Sequence, residues 1–155
     1  DTYSLFLDMN VIYETVVERA FREAAARTDT SLVVEGQGGI EKLIDGEHAI
    51  DMTPDVVVKD SGGDVILVAD AKWKTALEKS SDVYQLTSYM LAESVPGVLV
   101  YPYHNGSIRE STVQPHGASL SLSSIQLPTA TSADNYQEYT DELVRYTVAF
   151  LERVT

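Results

Sequence analysis

The sequence predicts an α/β domain in which a central mixed β-sheet is flanked by helices. Three observations predict it. Short Val-, Ile- and Leu-rich runs of strand length recur through the chain, each bounded by Gly, Pro, Asp or Asn. Segments with apolar residues at three- and four-residue spacing stand near the start, in the middle and at the end. A total of 155 residues, 44% of them hydrophobic, suits one domain over 1–155 with a sizeable core and no internal boundary.

Taken in order, Met9 to Arg27 reads as a helix, with Asn10 as its N-cap and an apolar stripe of Val11, Ile12, Thr15, Val16, Ala20 and Phe21. Glu14 falls near the boundary of that stripe, and on pattern alone it is a solvated helix carboxylate. Ser31 to Glu35 reads as a short strand ended by Gly36-Gln37-Gly38-Gly39. Those glycines have neither dinucleotide nor Walker spacing, so they are read as a turn. From Ile40 to Thr53 the chain is expected to be irregular, with one helical turn over Glu41 to Ile44 and a short strand near Ala49 to Met52.

A hairpin follows. Pro54-Asp55-Val56-Val57-Val58-Lys59 and Val65 to Lys74 are joined by Asp60-Ser61-Gly62-Gly63-Asp64, a turn-forming cluster. A turn centred on Gly62-Gly63 places Val57 opposite Val68 and Asp55 opposite Asp70. Apolar residues on both faces predict a central, doubly covered position in the sheet. Ser80-Ser81-Asp82 caps a helix reaching about Glu93, with Val83, Leu86, Met90 and Leu91 inward and with Gln85 and Tyr89 sharing a face. Tyr89 alone would be ordinary half-buried core. Pro96-Gly97 breaks that helix. Val98 to Tyr103 is the next strand, and Asn105-Gly106 turns it into Ser107 to Gln114. A strand from about Ser119 to Leu127, a loop at Pro128 to Ser132, and a helix from about Ala133 to Arg153 complete the chain. That last helix is expected to bury Tyr136, Leu143, Tyr146, Phe150 and Val154.

Bulk properties narrow the chemistry. With no cysteine there is neither a disulfide framework nor a thiolate metal site, and His48, His104 and His116 lack ligand spacing, so a metal would be held by oxygen. No apolar run approaches the roughly 20 residues of a membrane-spanning helix, and no cleavable leader pattern opens the chain, so a cytoplasmic location is expected. The chain begins at Asp1 rather than Met, as an excised piece of a longer protein would. A net charge of −13, with 24 acidic against 11 basic residues, argues against tight unaided binding to a polyanion and resembles the balance in salt-loving organisms. Eight of the basic residues (Arg19, Arg22, Arg27, Lys42, Lys59, Lys72, Lys74 and Lys79) nevertheless lie in the first 79 positions.

The hairpin carries charges where a core belongs. Two opposed carboxylates are destabilising unless something cationic sits between them. Strand alternation points Lys72 to the face of Asp70, and a divalent metal beside Lys72 would satisfy the rest.

These residues and their order resemble the PD-(D/E)xK nuclease superfamily. Pro54-Asp55 stands at its first acidic position, Asp70-Ala71-Lys72 at its second, Glu14 on the preceding helix where many members carry an extra acidic ligand, and Gln85-Leu86-Thr87-Ser88-Tyr89 at the Gln-x-x-x-Tyr element of RecB-like nucleases. More narrowly, Asp8-Met9-Asn10 with Tyr13-Glu14, Asp70-Ala71-Lys72-Trp73-Lys74, Asp82-Val83-Tyr84-Gln85 and Tyr101-Pro102 resemble the catalytic domain of the McrC family. The family normally has an N-terminal region ahead of this domain, whereas only seven residues precede Asp8 here.

The resemblance implies a restriction-endonuclease-like core and a Mg²⁺-dependent endodeoxyribonuclease, with Mn²⁺ as a substitute. It implies metal ligation by Asp55, Asp70, the Ala71 carbonyl and Glu14, with Lys72 and Gln85 completing the catalytic set. The implied partners are DNA and a McrB-like AAA+ GTPase that recognises the modified site, in a McrBC-like modification-dependent defence system. A stand-alone repair or processing nuclease and a catalytically silent nuclease-like binding domain are the alternatives. Retention of Asp55, Asp70 and Lys72 argues against the silent form, since buried charges without function are costly to keep.

Overall fold

The fold was obtained as a computed structural model describing residues 8–37, 40–47, 49–74, 80–102, 107–113, 120–126 and 136–155. Three helices are described: α1 (Met9–Ala25), α2 (Ser80–Glu93) and α3 (Tyr136–Val154). The strands are β1 (Val33–Gly36), β2 (Ile40–Ile44), β3 (Ile50–Met52), β4 (Val56–Lys59), β5 (Val65–Ala71), β6 (Gly97–Tyr101), β7 (Ser107–Val113) and β8 (Leu120–Gln126). Six of them form one sheet in the order β1-β4-β5-β6-β8-β7, and β2 pairs with β3 separately. The β1/β4, β4/β5 and β7/β8 ladders are antiparallel, while β5/β6 and β6/β8 are parallel. The expected mixed sheet flanked by helices is therefore present.

The hairpin register is the one the turn predicts: Val57 pairs with Val68, Val58 with Leu67 and Val56 with Ala69. Asp60 builds the turn, its Oδ1 accepting from the backbone N–H groups of Gly62 (2.8 Å) and Asp64 (3.0 Å), and Gly63 supplies the positive φ of 92°. One register shift is confined to the turn end, where Lys59 faces Val65.

Alternation then sorts the side chains into two cores. On one face Val56, Val58, Leu67, Ala69, Ala71, Val98 and Val100 pack with Val17, Phe21 and Ala24 of α1 and Leu143, Phe150 and Leu151 of α3. On the other, Val68, Leu99 and Tyr101 pack with Leu86, Tyr89 and Met90 of α2 and with Met52 from β3. Gly97 lets α2 lie this close: a Cβ there would meet Met90 Sδ and Cγ at 2.6 Å.

Several local expectations are corrected. Asp8, not Asn10, caps α1, its Oδ1 accepting from the Asn10 N–H at 3.0 Å. The buried stripe is Tyr13, Val17, Ala20, Phe21 and Ala24, so the helix is rotated from the expected face, leaving Val11 and Ile12 exposed. Packing against the sheet and α3 together selects between two overlapping apolar stripes. Residues 40–44 form β2 rather than a helical turn, because pairing with β3 satisfies their backbone groups. Leu91 and Tyr136 are exposed, whereas Tyr89 is buried and Tyr146 and Val154 are partly buried. The Asn105-Gly106 turn, the loop at 128–132 and the first residues of the expected last helix lie outside the described residues.

Candidate active site

β5 delivers Asp70 from the middle of the doubly covered sheet, and its carboxylate is almost fully buried. Asp55 lies just before β4, where the hairpin register carries it opposite Asp70. The two carboxylates are fixed by crossed bonds to each other's strands. Asp70 Oδ1 accepts the Asp55 N–H at 3.2 Å, and Asp55 Oδ2 accepts the Ala71 N–H at 2.7 Å. Asp70 Oδ2 is buried without a hydrogen bond of good geometry, and its counter-charge is Lys72 Nζ at 3.1 Å. Asp55, Asp70 and Lys72 thus meet on the face that the sequence assigns to them.

Helix α2 closes the site from one side. Lys72 Nζ donates to Gln85 Oε1 at 3.3 Å, and Gln85 Nε2 donates to the Tyr89 hydroxyl at 3.0 Å. Gln85 therefore contacts the lysine rather than a carboxylate. From the other side comes α1. Glu14 Oε2 accepts from Gln37 Nε2 at 3.3 Å and shares with Asp55, Glu18 and Gln37 a cleft of about 230 Å³. Glu14 is thereby brought towards Asp55.

The electrostatics follow from this crowding. Burial, then the neighbouring charge of Asp70, pushes the Asp55 carboxyl up to about 7; Glu14 adds to the rise, while the Ala71 N–H and Lys72 oppose it. For Lys72, burial pulls the ammonium down, but the close charge of Asp70, with Asp55 and Asp82, outweighs it and leaves the pKa raised. Lys72 is a cation at neutral pH, and Asp55 is poised between charge states.

A hard divalent cation fits this donor set. Two neighbouring carboxylates, one with a buried oxygen lacking a directed hydrogen bond and the other protonation-prone through burial and then repulsion from Asp70, are what a cation would relieve. Among the described residues no group of three or more His, Asp or Glu side chains forms a ready-made metal cage. Binding through one or two carboxylates with water completing the shell is the habit of Mg²⁺ rather than of Zn²⁺.

Residues 1–102 match the family model for the McrBC 5-methylcytosine restriction system component. The chain belongs to the McrBC family. No curated protein matches it. Across 96% of its length, this McrBC-family chain is similar to a solved structure described as a refined half-complex from the tetradecameric assembly of Thermococcus gammatolerans McrB AAA+ hexamers with bound McrC, with a TM-score of 0.67 and 15% identity. It spans 34% of that chain's length. At this identity the likeness speaks for the fold.

Two contacts at the site of the McrBC-family chain are visible only in the fold. Gln37 sits inside the glycine-rich run read as a turn, yet its N–H donates to the Asp55 carbonyl at 3.1 Å while its amide holds Glu14. Its φ of 41° is a left-handed conformation that lets one residue make both bonds. Asp82 reads as a helix-capping residue and as the first residue of the Asp82-Val83-Tyr84-Gln85 motif, and the fold adds that it is buried and paired with Lys74. Polar residues near Gly or at a helix start carry no periodic signal, so only the fold reveals their contacts. No helix among the described residues is long and apolar enough to cross a membrane.

Proposed function

We infer that this chain is the nuclease part of a McrC-like restriction subunit, hydrolysing DNA phosphodiester bonds with Mg²⁺ or Mn²⁺. The observation that carries the reading is the meeting of Asp55, Asp70 and Lys72 on one sheet face, with Lys72 Nζ 3.1 Å from Asp70 Oδ2. The family match over residues 1–102 supports it independently.

Asp55, Asp70 and the Ala71 carbonyl would hold the cation, with Glu14 supporting from α1. When bound, the ion supplies Lewis-acid neutralisation of phosphate charge and lowers the pKa of water. Asp55 would hold the cation as a carboxylate, so a proton carried there near pH 7 would be released to solvent. The Ala71 and Asp55 N–H groups keep the two carboxylates from turning away. Lys72, steadied between Asp70 and Gln85, presents a fixed positive charge where a non-bridging phosphate oxygen gains negative charge. Water adds to phosphorus and gives a proton to solvent, the bond to one bridging oxygen breaks, that oxygen takes up a proton from solvent, and the products are a phosphate end and a hydroxyl end.

A net charge of −13 weakens unaided DNA binding, which fits a cleavage subunit delivered by a motor. We assign that role to a McrB-like AAA+ GTPase; the Thermococcus assembly is described as McrB AAA+ hexamers with bound McrC. The test is cleavage of methylated and unmethylated plasmid by the full-length subunit, with and without the GTPase, GTP and a chelator. Cleavage that requires divalent metal, GTPase and GTP is expected. Metal-dependent cleavage without partner or nucleotide would favour a stand-alone nuclease, and cleavage that persists in chelator would overturn the reading.

A further inference from the structure

Just past β5, Lys72 and Lys74 reach the same helix one turn apart. Lys74 Nζ lies 2.7 Å from Asp82 Oδ1 and 2.6 Å from Oδ2, while Lys72 donates to Gln85 Oε1 at 3.3 Å. Asp82 and Gln85 are three residues apart on α2 and so share a face, which Tyr89 extends. The Lys74–Asp82 contact is the closer of the two, and the Asp82 side chain is only 9% exposed. Asp82 also stands in the first turn of α2, where the helix dipole favours its charge. The backbone cooperates: the Lys72 N–H donates to the Val100 carbonyl at 2.9 Å and the Lys74 N–H to the Lys72 carbonyl at 2.9 Å, tying the end of β5 to β6 and tightening it after Lys72.

We propose that the Lys74–Asp82 ion pair is a positioning element that locks the start of α2 to the end of β5 and thereby sets Lys72 between Asp70 and Gln85. Neither residue touches substrate. Asp82 and Lys74 neutralise each other, which leaves Lys72 as the cation facing the carboxylates. Without the pair, α2 can shift along the strand end, Gln85 loses Lys72, and the ammonium samples positions unsuited to a phosphate oxygen. Misplacement on the scale of 1 Å can cost about 100-fold in rate.

This inference rests on the nuclease reading, and its test separates the two. Single-turnover cleavage by the full-length subunit with its GTPase is compared for wild type, Lys74→Met, Asp82→Asn, the double variant and Lys74→Arg, with Asp70→Ala as the chemical control. DNA affinity, melting temperature and the ¹⁵Nζ resonance of Lys72 are recorded for each. Each single variant is expected to lose about 10- to 100-fold in rate. Their DNA affinity should stay within about twofold, the double variant should be no slower than the singles, and Lys74→Arg should recover most of the rate because a guanidinium pairs well with a carboxylate. The Lys72 resonance should move in Lys74→Met and Asp82→Asn. Wild-type rates in both singles, additive losses in the double variant, or an unmoved Lys72 resonance would overturn the proposal. If wild type and Asp70→Ala cleave equally, the nuclease reading fails, and the Lys72 resonance then decides the positioning claim alone.

Discussion

At the scale of single residues, the site trades stability for charge. Asp55 has its carboxyl pushed up to about 7, against an ordinary 3.8. Between those values the folded chain binds more protons at this position than the unfolded chain. The contribution of Asp55 to stability is therefore greatest below about pH 4, is lost as pH rises towards 7, and is flat above. Metal-free Asp55→Asn should melt higher than wild type at pH 8, and the difference should shrink towards pH 5; thermal melts across that range in chelator check both. Mg²⁺ or Mn²⁺ binding should release a proton from Asp55 near pH 7, so affinity should rise with pH and the calorimetric heat should depend on the buffer's ionisation enthalpy. Affinity that is flat from pH 6 to 8 would contradict this. Of these residues, Asp55, Asp70 and Lys72 were legible in the sequence because a period of two and one Gly-Gly turn fix which side chains share a face. Gln37 was not, because its bonds to Asp55 and Glu14 join positions 18 and 23 residues away with no pattern between them.

At the scale of elements, legibility followed the strength of local signals. The β4-β5 hairpin has β-branched strands and an Asp-Gly-rich turn that agree, and its register was predictable from Val56 to Val58, with only the shift at Lys59 unforeseen. In residues 40–44, Ile40, Leu43 and Ile44 fall at helical spacing, so the sequence favoured a turn of helix that pairing with β3 overrides. The N-terminal helix carries enough apolar residues for two stripes, and packing against the sheet and α3 turns Tyr13 and Val17 inward rather than Val11 and Ile12. Gly97 was read as a helix breaker, but its role in the packing is to admit Leu86 and Met90 against the sheet. Gly97→Val should cost about 1–3 kcal/mol by overpacking, seen as a lowered denaturant midpoint with an unchanged slope. A variant as stable as wild type would mean that α2 does not need this close approach.

At the scale of the whole molecule, the long-range contacts of the sheet bring Glu14, Gln37, Asp55, Asp70, Lys72 and Gln85 to one region from positions 71 residues apart, and the net charge of −13 surrounds them. Self-repulsion at that charge is relieved by screening, so melting temperature should rise with potassium chloride over the first few hundred millimolar. A fall over the same range would show that attractive ion pairs such as Lys74–Asp82 outweigh the repulsion. The central claim is that Asp55, Asp70 and Lys72 form one metal-dependent phosphodiester-cleaving centre. Its most direct test is the single-turnover cleavage rate of the full-length subunit, supplied with GTPase, GTP and Mg²⁺, for wild type beside Asp70→Ala and Lys72→Ala. The account predicts losses of at least about 100-fold in both variants, with the fold retained by circular dichroism. Equal rates in wild type and either variant would contradict it.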